Sequence, residues 1–211
     1  MDFKGLGPAI FFSTLIISGL LMYKKNSSAR KSAEEMERFL ARESKANTTR
    51  RKDISSLDYI RIPMDTLPFV DTDIYDIKDY QKQLKDLSQR KILNLSGISN
   101  TDLKLEYGAP NLPLLSEYDE NCMRLFKVIA NLGYHLSKND FHKEAVAFLE
   151  YGISIGTDIS RNYYVLADEY LADNNINAVE ALIEKAKEIS TVMGGVIVKE
   201  LTNKLEDKNS Y

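Results

Sequence analysis

Residues 5–23 carry no charge and form the longest apolar run of the chain. As a helix rising about 1.5 Å per residue, the run covers about 28 Å, close to the hydrocarbon thickness of a bilayer. The pattern therefore predicts a single spanning helix, with Pro8 in its first turn and Tyr23, Lys24 and Lys25 as an interfacial stop. A cleaved signal fits less well, because Lys4 is offset by Asp2 and two lysines follow the run where small residues would be needed. After a polar break at Asn26, Ser27 and Ser28, the spacing predicts a neck helix. Ser32 would cap it, Glu34 and Glu35 would fall in its first turn, and Met36, Phe39 and Leu40 would make a thin apolar stripe. Residues 57–63 alternate apolar and polar positions like a short strand, closed by Pro63 and Pro68. Residues 71–87 read as a helix with Ile74, Ile77, Leu84 and Leu87 on one side. Residues 101–107 read as a short helix ended by Gly108, and Pro110 and Pro113 hold back the next one until about Ser116.

Beyond that point the pattern repeats. Ile129, Leu132, Gly133, Leu136, Ala145, Leu149 and Gly152 fall on Tyr163, Leu166, Ala167, Tyr170, Val179, Ile183 and Ala186, each 34 residues later and without a gap. Large positions match large and small match small, as two stacked helical hairpins require where helices approach closely. Two hairpins do not bury a continuous core alone, so both ends need a cap. Residues 57–115 are too apolar for a tether and are expected to pack on the front of the repeat. After Thr191, Gly194 and Gly195 break the chain, and Val196, Ile197, Leu201 and Leu205 mark a last capping helix. The fold expected is mainly α, divided into an anchor (1–25), a basic neck (26–56), a mixed helix and loop segment (57–115), two hairpins (116–191) and a C-terminal cap (192–211).

Charge divides the chain along the same lines. Residues 24–52 sum to +6 and residues 53–211 to −9, within a total of −3. Cations just after an anchor are retained on the cytoplasmic side, so a single-pass membrane protein with its soluble domain in the cytoplasm is expected. Cys122 is the only cysteine, which excludes an internal disulfide. The neck offers two readings, a solvated spacer or a helix on anionic headgroups, with Lys24, Lys25, Arg30 and Lys31 at the membrane surface. Nucleic acid is disfavoured because the Arg50-Arg51-Lys52 run lacks aromatic interleaving and the rest is acidic.

Residues 126–190 resemble two tetratricopeptide repeats on Leu132-Gly133, Ala145, Leu166-Ala167, Tyr170 and Ala186. Leu136, Gly152, Thr157 and Thr191 depart from that family's pattern. The resemblance implies antiparallel helical hairpins with a concave protein-binding surface. It places Lys127, Ala130, Tyr134 and Ser137, then Arg161, Tyr164, Asp168 and Leu171, toward the groove. Of these, Lys127, Tyr134, Arg161, Tyr164 and Asp168 are the candidate partner-binding residues. The family's carboxylate clamp is disfavoured, since Ala130 and Tyr134 stand at two of its positions.

Catalysis is not expected. His135 and His142 are seven apart across a turn and do not form a helical metal pair; Asp71, Asp73 and Asp76 lack the glycine and glutamate of a metal loop. No phosphate loop or nucleophile motif is present, and no cofactor or metal is implied. The function expected is a membrane-anchored protein interaction scaffold. The alternative is a structural subunit that self-associates or docks within a membrane complex through a helix contact at Gly5, Ala9, Thr14 and Ser18.

Overall fold

A computed structural model describes residues 30–209. Among these residues there are eight α-helices and no β-strand: α1 (30–47), α2 (Tyr75–Ser88), α3 (Asn100–Tyr107), α4 (Leu112–Lys138), α5 (His142–Ser154), α6 (Ser160–Ala172), α7 (Ile176–Lys187) and α8 (Val192–Asn209). They fall into two compact units. One holds α1 and Asn100–Pro110; the other holds Lys52–Ser99 with the chain from Asn111 onward.

The spanning helix and the localisation drawn from it are corrected here. No helix among the described residues is long and apolar enough to cross a membrane. The longest, α4, carries Glu117, Asp119, Glu120, Arg124 and Lys127 through its middle, and burying such charges in hydrocarbon is prohibitive. The anchor expected at residues 5–23 lies outside the described residues, as do Lys24 and Lys25. The fold class supported is a mainly helical protein, and the single-pass assignment with its cytoplasmic orientation is not carried further.

In the first unit, α1 contains Ser32, which is therefore an interior residue of the helix and not its cap. Ala46 and Leu103 are buried, and a polar lattice ties α1 to α3. Glu43 accepts from Thr101 Oγ1 at 2.6 Å and from Lys104, whose ammonium also reaches Asn47 at 2.8 Å. Lys104, followed by Thr101, holds the Glu43 carboxyl below its ordinary range. Arg42 pairs with Asp102. Gly108 ends α3 at φ +92°, and a Cβ there would stand 2.2 Å from the Arg50 carbonyl oxygen.

The second unit begins with the run expected to be a strand. Its one ladder-like bond is Ile60 N–H to Ile92 O at 2.9 Å; among the described residues no strand extends it. Instead Ile62 and Leu67 are buried in the core, with Ile60, Met64, Phe69 and Val70 packed against it. The next helix, α2, starts at Tyr75 rather than Asp71. The Thr72 hydroxyl accepts from Ile74 N–H at 3.3 Å and Asp73 pairs with Lys78 at 2.8 Å, so these polar residues form the preceding turn. Buried Gln81 then grips the Val70 backbone twice, accepting at 2.8 Å and donating at 2.9 Å. α4 begins at Leu112, before the expected Ser116, because Pro113 lies in its first turn, where a missing N–H costs nothing. Buried Asn111 donates to Lys52 O at 2.8 Å just ahead of it.

From here the backbone keeps the 34-residue spacing. Lys138 and Ala172 end α4 and α6, and His142 and Ile176 open α5 and α7. Asp140 and Asn174, also 34 apart, take left-handed conformations at φ 65° and 53°, which short polar side chains tolerate. Phe141 N–H to Leu136 O (3.0 Å) and Asn175 N–H to Tyr170 O (2.8 Å) close the two turns alike. Helix α4 packs against α2, α5 and α6, and α6 packs in turn against α5, α7 and α8. One core centres on Leu125, Phe126, Ile129, Leu132 and Phe148, the other on Tyr163, Leu166, Leu182 and Leu201.

Two of the positions that depart from the repeat pattern, Gly152 and Thr157, have local causes. A Cβ on Gly152 would lie 2.6 Å from Asn162 Oδ1, so the Asn162 amide fills that space while donating to Leu149 O at 2.9 Å. Thr157 is fully buried. It secures the α5–α6 turn by hydrogen bonds where a ring would have stiffened it: its N–H donates to Gly152 O (3.1 Å), its hydroxyl accepts from Ile159 N–H (3.2 Å) and its carbonyl accepts from Tyr163 O–H (3.1 Å). The break expected at Gly194 and Gly195 does not occur, since α8 runs straight through both. Gly194 is instead an approach point, where a Cβ would meet the Ile189 carbonyl oxygen at 2.6 Å.

Burial pushes the Tyr163 phenol up to about 12, and the Cys122 thiol likewise to about 12. Both groups are neutral in the fold, so their contribution to stability is intact below the unfolded-state values. It is lost as pH rises toward 12, because the unfolded chain releases protons that the folded one retains. Urea titrations should therefore show a stability that declines steeply above about pH 10. Tyr163→Phe should delay that decline, and an unchanged pH profile would count against the burial of this phenol.

Candidate functional site

The exposed face of α4 follows from its spacing. At about 100° per residue, Arg124, Lys127, Asn131, Tyr134 and Lys138 share one side of the helix. The opposite side, with Leu125, Ile129, Leu132 and Leu136, is buried. Ala130, expected toward the groove, is also buried, and its neighbour Asn131 is half-buried. Ser137 and Leu171 are half-buried.

Tyr134 sits at the centre of an ordered cluster. The Arg161 guanidinium, from α6, lies 5.2 Å from its ring centroid and donates to Asn131 Oδ1. Lys138 Nζ lies 5.9 Å from the same centroid, and His135 meets the ring edge-on at 5.3 Å. His135 stacks at 5.5 Å on Tyr80 of α2 and faces Asp76 at 3.4 Å. The ring thus contacts two cations and the His135 imidazole without any partner, which lowers the entropy lost when a partner arrives.

Of the five candidates, Tyr134 and Arg161 come together directly. Tyr164 and Asp168 lie one and two turns further along α6. Tyr164 is half-buried against the second core, and burial, followed by Glu200, raises its phenol while Lys204 acts against them. Asp168 pairs with Lys204 of α8 at 2.6 Å. Lys127 is exposed on α4, two turns before Tyr134. Asn131 and Lys138 were readable from the helical period; Tyr80 and Asp76 were not, because they arrive from about fifty residues upstream through the α2–α4 contact.

The other histidine, His142, opens α5 and meets buried Glu169 at 2.9 Å, away from His135. Among the described residues no cluster of three or more His, Cys, Asp or Glu could hold a metal. Cys122 is buried in α4. Arg30 and Lys31 are exposed on α1, but they do not border its apolar stripe of Met36, Phe39 and Leu40. By the helical period Glu35 and Glu37 stand about 40° and about 60° from the nearest edge of that stripe, and Arg30 and Lys31 about 80°. An apolar recess of about 330 Å³ lies between α5, α6 and α7, floored by Leu166 and Tyr170.

Compared with protein-family profiles, characterised proteins and solved structures, the chain matches none.

Proposed function

We propose that the hairpin stack is a protein interaction module, and that its α4 and α6 face receives an extended segment of a partner. The reading rests on Tyr134, a half-buried aromatic in contact with both Arg161 and Lys138; such ordered aromatic and arginine anchors dominate interface energetics. The shared 34-residue spacing of helix ends and left-handed turns supports a tetratricopeptide-like arrangement, whose groove is a peptide surface. Binding is favoured over catalysis because the two histidines have different partners, Asp76 and Glu169, and do not converge on one site.

A photo-crosslinking amino acid at Lys127 tests this in cells. Adducts are expected there, should be lost on Tyr134→Ala, and should be absent with the probe at exposed Lys143 of α5. Tyr164→Ala is a poor second variant, because that ring also packs on the second core; Tyr164→Phe is the better one. Equal adducts from both probe positions would reject the groove.

A further inference from the structure

The groove face is basic in a region that is otherwise acidic. Arg124, Lys127, Lys138 and Arg161 are exposed, and among the described residues none of them has a carboxylate within 4.0 Å. Lys78, Lys185, Lys187 and Lys204 of the same unit are paired with Asp73, Glu188, Glu184 and Asp168. Among the described residues Arg61, Lys82, Lys85, Arg90, Lys91 and Lys143 are not in ion pairs either, so what marks the strip is the grouping of four such cations on the α4 and α6 face. Residues 53–211 sum to −9, so this grouping of unmatched positive charge runs against the surrounding field. Of the carboxylates next to the cluster, Asp168 is paired with Lys204 at 2.6 Å, and Asp76 lies 3.4 Å from His135. Glu117 and Glu120 are exposed on the same face of α4, Glu120 one turn before Arg124, so they border the strip at its N-terminal end and the unopposed charge lies from Lys127 to Lys138.

We propose that this strip binds an acidic peptide segment, with Asp or Glu side chains meeting Arg124 and Lys127 at one end and Arg161 and Lys138 at the other. The inference rests on the interaction reading above and adds the partner's chemistry. Lys127 and Tyr134 are about 10 Å apart along α4, and Lys127 and Lys138 about 17 Å. An extended chain advances about 3.3 Å per residue, so the two acidic positions fall three to five residues apart, with Tyr134 under the residues between. A nucleic acid would be repelled by the acidic remainder of the unit, whereas a short segment confined to the strip would not.

The test uses the full-length chain and fluorescein-labelled Gly/Ser peptides with Glu at every fourth position and Leu midway, read by anisotropy. The expected result is at least about tenfold tighter binding of this peptide than of its Gln counterpart at low salt. The difference should vanish in 0.5 M salt or in R124E/K127E, since rim charges act through screened attraction. Equal binding of the Glu and Gln peptides would overturn the acidic preference and leave the groove reading standing. Failure of both peptides, with Lys127 adducts still forming in cells, would do the same. Loss of the adducts as well would remove both, and tighter binding of oligothymidylate would replace the peptide by a nucleic acid.

Discussion

Phe148→Ala should cost about 3–5 kcal/mol, the usual price of emptying an aromatic site that cannot collapse. The ring is fully buried and meets Phe69 edge-on at 5.6 Å and 78°. It therefore joins α5 to the extended segment before α2, and its loss opens the first core from two sides. Against a whole-domain stability of about 5–15 kcal/mol, that is a large fraction, and the urea midpoint of unfolding should fall accordingly. Phe39 is the control. It is 55 % exposed on α1, and Phe39→Ala should change stability by no more than about 0.5 kcal/mol. If the two variants shifted the midpoint equally, the placement of α5 over the core would be wrong.

Gly108→Ala should release α3 from the end of α1. Two penalties combine here. Alanine resists the left-handed conformation at φ +92° by about 1–2 kcal/mol. Its methyl would also sit 2.2 Å from the Arg50 carbonyl oxygen and 2.8 Å from the Arg51 Cα. Those are backbone atoms, so no rotamer change relieves the overlap and the chain itself must move. Hydrogen exchange should show lost protection in the last turns of α1 and in α3, where Glu43, Thr101 and Lys104 are bonded. Protection in α4 to α7 should persist, because their cores contain no residue of that unit. Gly195→Ala is the opposite case: nothing lies within 4 Å of its added Cβ, so the helix should gain up to about 1 kcal/mol. Unchanged exchange in α3 for Gly108→Ala would mean that the close approach to Arg50 is absent in solution.

Legibility of the site divides along the same physical line. Lys127, Asn131, Tyr134 and Lys138 belong to one helix, and a 3.6-residue period is enough to gather them. The meeting of Tyr134 with Arg161 required the α4–α6 contact. Ala130 shows the limit of reasoning by resemblance, for a position assigned to the groove is buried, while its neighbour Asn131 is half-buried and accepts from Arg161.

By itself the sequence determined the local rules: the 34-residue spacing of the hairpins, the short helix stopped by Gly108, and the apolar sides of α2 and α4. These depend on neighbours within one or two turns, where periodicity and turn chemistry dominate. Tertiary structure decided whatever depended on a distant partner. The run at 57–63 alternates like a strand, yet among the described residues it has no strand to pair with and spends its apolar side chains on the core. Gly194 and Gly195 read as a break, yet α8 continues through them because Gly194 lets it approach the Ile189 carbonyl. Gly152 read as an irregular substitution until the Asn162 amide was found in the space a methyl would occupy. Each of these outcomes turns on which atoms occupy a few ångströms of space, and that is fixed only when segments far apart in the chain are brought together.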